Sequence, residues 1–205
     1  MSELTPTIFV VDDDDAMLDS MTWLLEGEGY QVSCFDFGER FLAAWHKDMR
    51  GCLVLDVRMA EMSGLELQER LDELGSRLPV IFVTGHGDVQ MAVRAVKSGA
   101  FDFIEKPFND QDLLERIHKA IRFDAVQRDQ DLQHQQLRAL FANLTVRERE
   151  VLDQVVLGKS NKAIANCFGL SAKTIEVHRA KVMEKMQADS VADLVKMSMQ
   201  LQMQA

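Results

Sequence analysis

Over the first 123 residues, short apolar runs alternate with longer amphipathic ones; beyond residue 144 the rhythm is helical throughout. TIFVV (7–11), QVSCF (31–35), CLVLD (52–56), PVIFVT (79–84) and AFDFIEK (100–106) have strand length and are rich in β-branched and aromatic residues. Helical segments lie between them at 15–27, 38–47, 63–74 and 88–98, and another opens at about Asp110. In the first of these, Met17, Trp23, Leu24 and Leu25 fall near one face. Five strand–helix repeats predict a doubly wound, five-stranded parallel sheet with helices on both faces. The runs at 7–11 and 79–84 are almost wholly apolar, as strands covered on both sides should be. In such a sheet the ligand crevice lies beyond the carboxyl ends of the strands.

Residues 124–143 contain neither Pro nor Gly and are rich in Gln, Asp and Leu, which predicts a helical linker. Leu132, Leu137, Leu140 and Phe141 give it an intermittent apolar stripe. A solvated spacer and a short coiled coil across a dimer both fit that stripe, because Gln and Asp interrupt the heptad. From 144 to 205 the pattern predicts an all-helical domain. Thr145 and Glu148 have capping-box spacing before a helix that runs to about Leu157 and ends at Gly158. Helices follow at about 160–167, 171–187 and 189–201, with Ser171 capping the third and Asp189 or Ser190 the fourth.

Charge is distributed to match this division. Residues 1–123 carry 12 Lys/Arg against 23 Asp/Glu, a balance of −11; residues 124–144 stand at −1; residues 145–205 carry 9 against 7, a balance of +2. Only the last segment could approach a polyanion, so its weak excess of base permits nucleic-acid binding without requiring it. Cys34, Cys52 and Cys167 lack metal or redox spacing, which disfavours both a disulfide framework and a zinc site and suits a reducing cytoplasm. The N-terminal apolar run is too short for a signal peptide and ends in acid, and no stretch approaches the ~20 apolar residues of a membrane span.

The predicted topology gathers particular side chains at one rim. Asp12 and Asp13 follow the first strand, Asp56 ends the third, Thr84 the fourth and Lys106 the fifth. Converging carboxylates repel one another, and a hard divalent cation such as Mg²⁺ would relieve that repulsion. A carboxylate can attack phosphorus to form an acyl phosphate, with the metal, an ammonium and a hydroxyl neutralising the transferred oxygens. Asp14 and Asp15 read as solvated residues or as the cap of the first helix. His86 reads as a rim residue, since no second His or Cys is spaced to join it in binding metal.

The set VVDD, LVLD, VTGHGD and FIEKPF resembles the flavodoxin-like receiver domain of two-component response regulators, over residues 7–122. That resemblance implies that Asp56 accepts a phosphoryl group from a cognate sensor histidine kinase. It implies Mg²⁺ held by Asp13, Asp56 and the backbone carbonyl of Arg58, with Asp12 acting mainly through water. Thr84 and Lys106 would bind the phosphate oxygens, Phe103 would be the switch aromatic, and Lys106–Pro107 would be a cis peptide. On activation Phe103 would rotate inward, and Val93, Val96, Lys97 and Ile104 would form a symmetric dimer contact.

Residues 144–199 resemble a LuxR-type helix-turn-helix of the FixJ, StyR and TodT type, through LTVREREVL, NKAIA, TIEVHR and the closing KM. Val151, Leu152, Val155, Val156, Ile164, Ala165, Ile175, Val182 and Met186 supply an apolar face. Outward on the recognition helix, Glu176, Val177 and Arg179 are expected to read bases, Glu accepting from cytosine N4 and Val touching a thymine methyl. Lys159, Lys162, Lys173, Thr174 and Lys181 are expected at phosphates; His178 is either a backbone contact or a packed histidine. Together the two resemblances imply a transcription regulator rather than an enzyme. Its partners would be the kinase, double-stranded promoter DNA, RNA polymerase and, once phosphorylated, a second copy. Two other readings remain open at this level. An Mg²⁺-dependent aspartyl-phosphate hydrolase would use the spacing of Asp12 and Asp14 but leave Asp56 idle. A stand-alone interaction module would signal through protein contacts alone.

Overall fold

A computed structural model describes residues 5–85 and 99–202. The chain forms two compact units that divide between Arg128 and Asp129.

The first unit contains β1 (Thr7–Val11), α1 (Asp15–Gly27), β2 (Gln31–Phe35), α2 (Gly38–Ala44), β3 (Gly51–Asp56), α3 (Gly64–Glu73), β4 (Val80–Thr84) and β5 (Asp102–Glu105). The helix α4 (Asp110–Ala142) starts in this unit and runs without interruption past its end. All five strands are parallel, in the order β2-β1-β3-β4-β5. This is the doubly wound sheet that the alternating pattern predicts. The helix expected at 88–98, with His86, Val93, Val96 and Lys97, lies outside the described residues.

Alternation within each strand divides the core in two. Ile8, Val10, Cys52, Val54, Ile81 and Val83 meet α1 and α4 through Leu18, Met21, Leu25, Leu113 and Ile117. Phe9, Val11, Leu53, Leu55, Val80 and Phe82 meet Phe41, Leu67 and Leu71 of α2 and α3. Every residue of β3 is buried, so it has no solvent face at all. A buried Leu→Ala change there would cost about 2–5 kcal/mol. On α1 the buried stripe is Leu18, Met21 and Leu25, at helical spacing. Trp23 does not join it, as the pattern had suggested, but stands 82% exposed. Ile104, expected at a dimer surface, is instead buried against α1 and α4.

The second unit comprises the end of α4 and then α5 (Val146–Val156), α6 (Asn161–Phe168), α7 (Ala172–Lys185) and α8 (Val191–Gln202). Thr145 and Glu148 close the expected capping box, and Ser160 and Ser171 cap α6 and α7. Leu144, Val151, Leu152, Ile164, Ile175, Val182, Met186 and Leu194 form the core, against which Leu140 and Phe141 pack. Leu132, the other end of the linker's apolar stripe, is exposed.

Candidate functional site

The parallel register delivers four polar side chains to one rim. Asp12 follows β1, Asp56 and Thr84 are the last residues of β3 and β4, and Lys106 follows β5. The backbone N–H of Lys106 donates to the Thr84 carbonyl at 2.7 Å, prolonging the β4–β5 pairing to the lysine itself. Its Nζ donates to Asp56 Oδ1 at 2.8 Å and to Asp12 Oδ2 at 2.9 Å. The other oxygen of Asp56 accepts from the Arg58 backbone N–H at 2.7 Å, and that of Asp12 from Asp14 N–H at 2.9 Å. Both carboxylates are almost wholly buried, at 7% and 4% exposure. Thr84 is buried beside them, its hydroxyl donating to the Gly85 carbonyl at 3.3 Å. Asp14 caps α1, accepting from Ala16 N–H.

Burial raises the pKa of Asp56, and the charge of Asp12 raises it further; Lys106 and the Arg58 N–H pull against both without winning. For Lys106, burial disfavours the ammonium, but hydrogen bonds and charge from Asp56 and Asp12 outweigh it and the net shift is upward. One cation shared by two buried carboxylates leaves an unneutralised negative charge. Asp13 is directed elsewhere: its Oδ2 accepts from the Ala60 backbone N–H at 2.8 Å. Among the described residues no three acids, histidines or cysteines converge closely enough to hold a metal as they stand. Mg²⁺, however, asks for only one or two carboxylates and completes its shell with water and phosphate. Asp12, Asp13, Asp56 and the Arg58 carbonyl are all hard oxygen donors, and the donor set fits that ion.

One neighbour of the rim was not legible as a site residue. Gly64, at the start of α3, lies so close to Asp56 that a Cβ there would stand 2.2 Å from the Asp56 carbonyl oxygen. Any side chain would push the helix away from the pocket. Phe103, 38% exposed on edge strand β5, has its backbone held on both sides. Its N–H donates to Asp102 Oδ1 at 2.8 Å, and its carbonyl accepts from Arg116 Nε at 3.1 Å. Lys106–Pro107 is cis, as expected.

In the second unit, Gly169 ends α6 in the left-handed conformation, and α7 follows with Ile175 and Val182 turned into the core. Lys173, Glu176, Val177 and Lys181 are exposed and fall at helical spacing on the outer face. Lys173 and Glu176 pair with each other at 2.9 Å in the open. Thr174 contributes its backbone N–H to the Ser171 cap, and the two hydroxyls are 2.8 Å apart. Arg179 is drawn aside: its Nη1 donates to Asn161 Oδ1 at 3.0 Å, tying α7 to the first residue of α6. His178 lies at the flank with a buried Nδ1 that has no hydrogen-bond partner. Lys159 donates to Gln154 Oε1, while Lys162 is exposed. Nothing in the sequence announced the Arg179–Asn161 bond, since its partners are 18 residues apart.

Comparison with known proteins agrees with both halves. Residues 8–118 match the family described as the response regulator receiver domain, and residues 142–198 match the bacterial regulatory proteins of the luxR family. The chain is 44% identical over 189 residues to the transcriptional regulatory protein TdiR of Thauera aromatica, covering 92% of this chain and 83% of that protein. It is 45% identical to the transcriptional regulatory protein FixJ of Bradyrhizobium diazoefficiens, covering 94% of each chain. The solved structure of the response regulator StyR superposes with a TM-score of 0.87 at 41% identity, over 96% of this chain and 99% of that one. A receiver rim on a five-stranded parallel sheet, a helix-turn-helix later in the chain and relatives of nearly full length lead to one assignment: the chain belongs to the two-component response regulators that join a receiver domain to a LuxR-type DNA-binding domain and regulate transcription.

Proposed function

We propose that Asp56 is the phosphoacceptor and that its phosphorylation by a cognate sensor histidine kinase controls binding of the second unit to promoter DNA. The observation that carries this reading is the Lys106 ammonium held between Asp12 and Asp56 at the rim. A carboxylate oxygen of Asp56 attacks the phosphorus of a phosphohistidine; the P–N bond breaks and the imidazole leaves with the electron pair. Lys106 neutralises charge on the transferred oxygens, and the Thr84 hydroxyl donates to one of them. Asp12, Asp13, Asp56 and the Arg58 carbonyl would hold Mg²⁺, which supplies further charge neutralisation when bound. Lys106 exchanges a carboxylate for a phosphoryl oxygen, the Thr84 hydroxyl gives up the Gly85 carbonyl, and Asp13 turns from the Ala60 N–H toward the metal.

Once phosphorylated, the protein dimerises, and Phe103, exposed on β5, turns inward behind Thr84. The receiver spans 1–123, the linker 124–143 and the DNA-binding domain 144–205 in this reading, with α4 carrying the chain across both divisions. Glu176 and Val177 read bases, and Lys173, Thr174, Lys181 and the exposed Lys162 meet phosphates. His178 and Arg179 sit at the flank, where Arg179's bond to Asn161 favours a positioning or backbone role over base reading. RNA polymerase is the downstream partner, and the setting is cytoplasmic; no described helix is long and apolar enough to cross a membrane.

The test combines mass spectrometry, sedimentation and DNA binding on the full chain. Acetyl phosphate with Mg²⁺ should add one phosphoryl group, carried by Asp56. Beryllofluoride should convert monomer to dimer at micromolar concentration. Either treatment should tighten binding to a duplex selected from random sequence. Identical sedimentation and DNA affinity with and without these agents would refute the switch.

A further inference from the structure

At the opposite end of β3 from Asp56 lies a second buried polar knot, which the phosphoryl chemistry does not use. Asp124, on α4, is only 4% exposed, although Ala125 and Val126 beside it are open to solvent. Its Oδ2 accepts from the backbone N–H of Gly51 at 3.0 Å. Both of its oxygens accept from Arg128 Nε at 2.9 Å, and Arg128 Nη2 donates to the Met49 carbonyl. Side chains one helical turn apart therefore grip the segment that enters β3 and the first residue of the strand.

The gripped position tolerates no side chain. Gly51 has φ 122°, and a Cβ there would stand 1.9 Å from the Thr7 carbonyl oxygen, so β3 enters the sheet flush against β1. Burial first, and then the charge of Asp124, push the thiol of neighbouring Cys52 upward, as a carboxylate held inside the fold would. Arg128 is also the last residue of the first compact unit.

We infer that Asp124 and Arg128 are positioning residues that couple the state of the Asp56 pocket, through β3, to the helix leading into the DNA-binding unit. This rests on Asp56 being the phosphoacceptor. β3 has the pocket at one end and the knot at the other, with four buried residues between. It is paired on both sides, to β1 and β4. A close-packed strand does not absorb displacement along its length, so a shift at Asp56 reaches Gly51. There it changes the geometry of a bond whose acceptor lies on α4. The knot is the two-state element, formed or strained, that both ends bias.

The test uses the full chain and compares wild type with Arg128→Met, Asp124→Asn and the conservative Arg128→Lys. Acetyl phosphate labelling, read by intact mass, should match wild type in all three, because the knot lies away from the rim. The ratio of DNA affinities with and without phosphorylation should fall about 2- to 30-fold in Arg128→Met and Asp124→Asn, and less in Arg128→Lys. In wild type, phosphorylation should alter amide exchange at residues 49–52 and 124–128. An unchanged affinity ratio in variants that merely melt at lower temperature would make the knot structural only and overturn the coupling. So would wild-type exchange at those segments that ignores phosphorylation. Failure of wild type itself to label at Asp56 would instead overturn the phosphoacceptor reading, and the coupling with it.

Discussion

At the rim of the sheet, Lys106 holds Asp12 and Asp56 at 2.9 and 2.8 Å with both acids almost fully buried. On α7, Lys173 holds Glu176 at 2.9 Å with side chains 79% and 59% exposed. The distances agree and the consequences do not. Exposed pairs contribute about 0–1 kcal/mol, because water and salt screen them and ordering two long side chains costs entropy. Breaking a buried pair leaves an uncompensated charge and costs about 3–5 kcal/mol. The rim is thus fixed in advance, whereas the face of α7 is held loosely and can exchange an internal partner at little cost.

The sharpest way to break this comparison is at Asp56. Asp56→Asn removes the proposed phosphoacceptor and leaves the face of α7 untouched. Phosphoryl labelling by acetyl phosphate should disappear, while phosphate-independent DNA binding stays within about twofold, since changes away from an interface shift energies little. Stoichiometric labelling of the variant would remove Asp56 from the mechanism. Loss of basal DNA binding would mean that the two regions are not separable.

A third ion pair, in the second unit, lies between the two extremes. Glu148 is buried, its carboxylate bonded to Lys185 at 2.7 Å and to the Thr145 N–H at 2.8 Å. Lys185, and after it the Thr145 N–H, hold its pKa down to about 2 against the opposing effect of burial. A folded-state pKa below the ordinary value near 4.5 means stability that is fully present above about pH 4.5. It is lost as pH falls from there towards 2. Because Lys185 remains one-third exposed, the loss in Glu148→Gln should be about 1–3 kcal/mol rather than the full cost of a buried pair. Amide exchange along α5 in the full chain at pH 7 and pH 3 measures it. The gap between wild type and variant should be wide at pH 7 and narrower at pH 3. An equal gap at both would assign the effect to shape and not to charge.

How far each region could be read from the sequence follows the same division. Asp12, Asp56, Thr84 and Lys106 were legible because a parallel sheet delivers the ends of its strands to one rim whatever the loops do. Gly64 and the pair that flanks Phe103 were not, because their roles come from contacts across the fold that no periodicity encodes. On α7 the apolar positions Ile175 and Val182 fixed the rotation of the helix, and so which residues face outward. The partner of Arg179 on that face depends on the turn angle between two helices, which capping residues constrain only loosely. Trp23 was misassigned for a related reason: with apolar residues at 17, 18, 21, 23, 24 and 25, several stripes fit α1, and only packing against β1 and β3 selects Leu18, Met21 and Leu25. The Asp124–Arg128 knot was illegible because a buried Asp–Arg pair looks, in sequence, like ordinary i,i+4 helix surface.

Within the outer face of α7, Val177 tests base reading. It is 47% exposed, with no structural duty that its burial reveals. Val177→Ala should leave the fold intact and cost about 1–3 kcal/mol at a single base position, relaxing preference there alone. Selection from random duplexes on wild type and variant would reveal it. An unchanged sequence preference would mean that the helix meets the groove along a different edge.

Lys181 separates position from reading by the smallest margin. It lies one turn beyond Val177 on the exposed side of α7. A lysine at a phosphate releases counterions without reading sequence, so its removal should weaken all duplexes alike. Lys181→Ala should therefore leave the selected sequence as it is and reduce the slope of log affinity against log salt by about one unit. At the salt concentration where wild type and variant lines cross, the two proteins would be indistinguishable, so a single-condition affinity cannot decide the matter and a titration can. If Lys181→Ala changed the preferred sequence and Val177→Ala did not, the recognition helix would meet the groove with a different edge. Residues four apart on an α-helix differ by roughly 40° about its axis, so a turn of about that size would exchange the two positions.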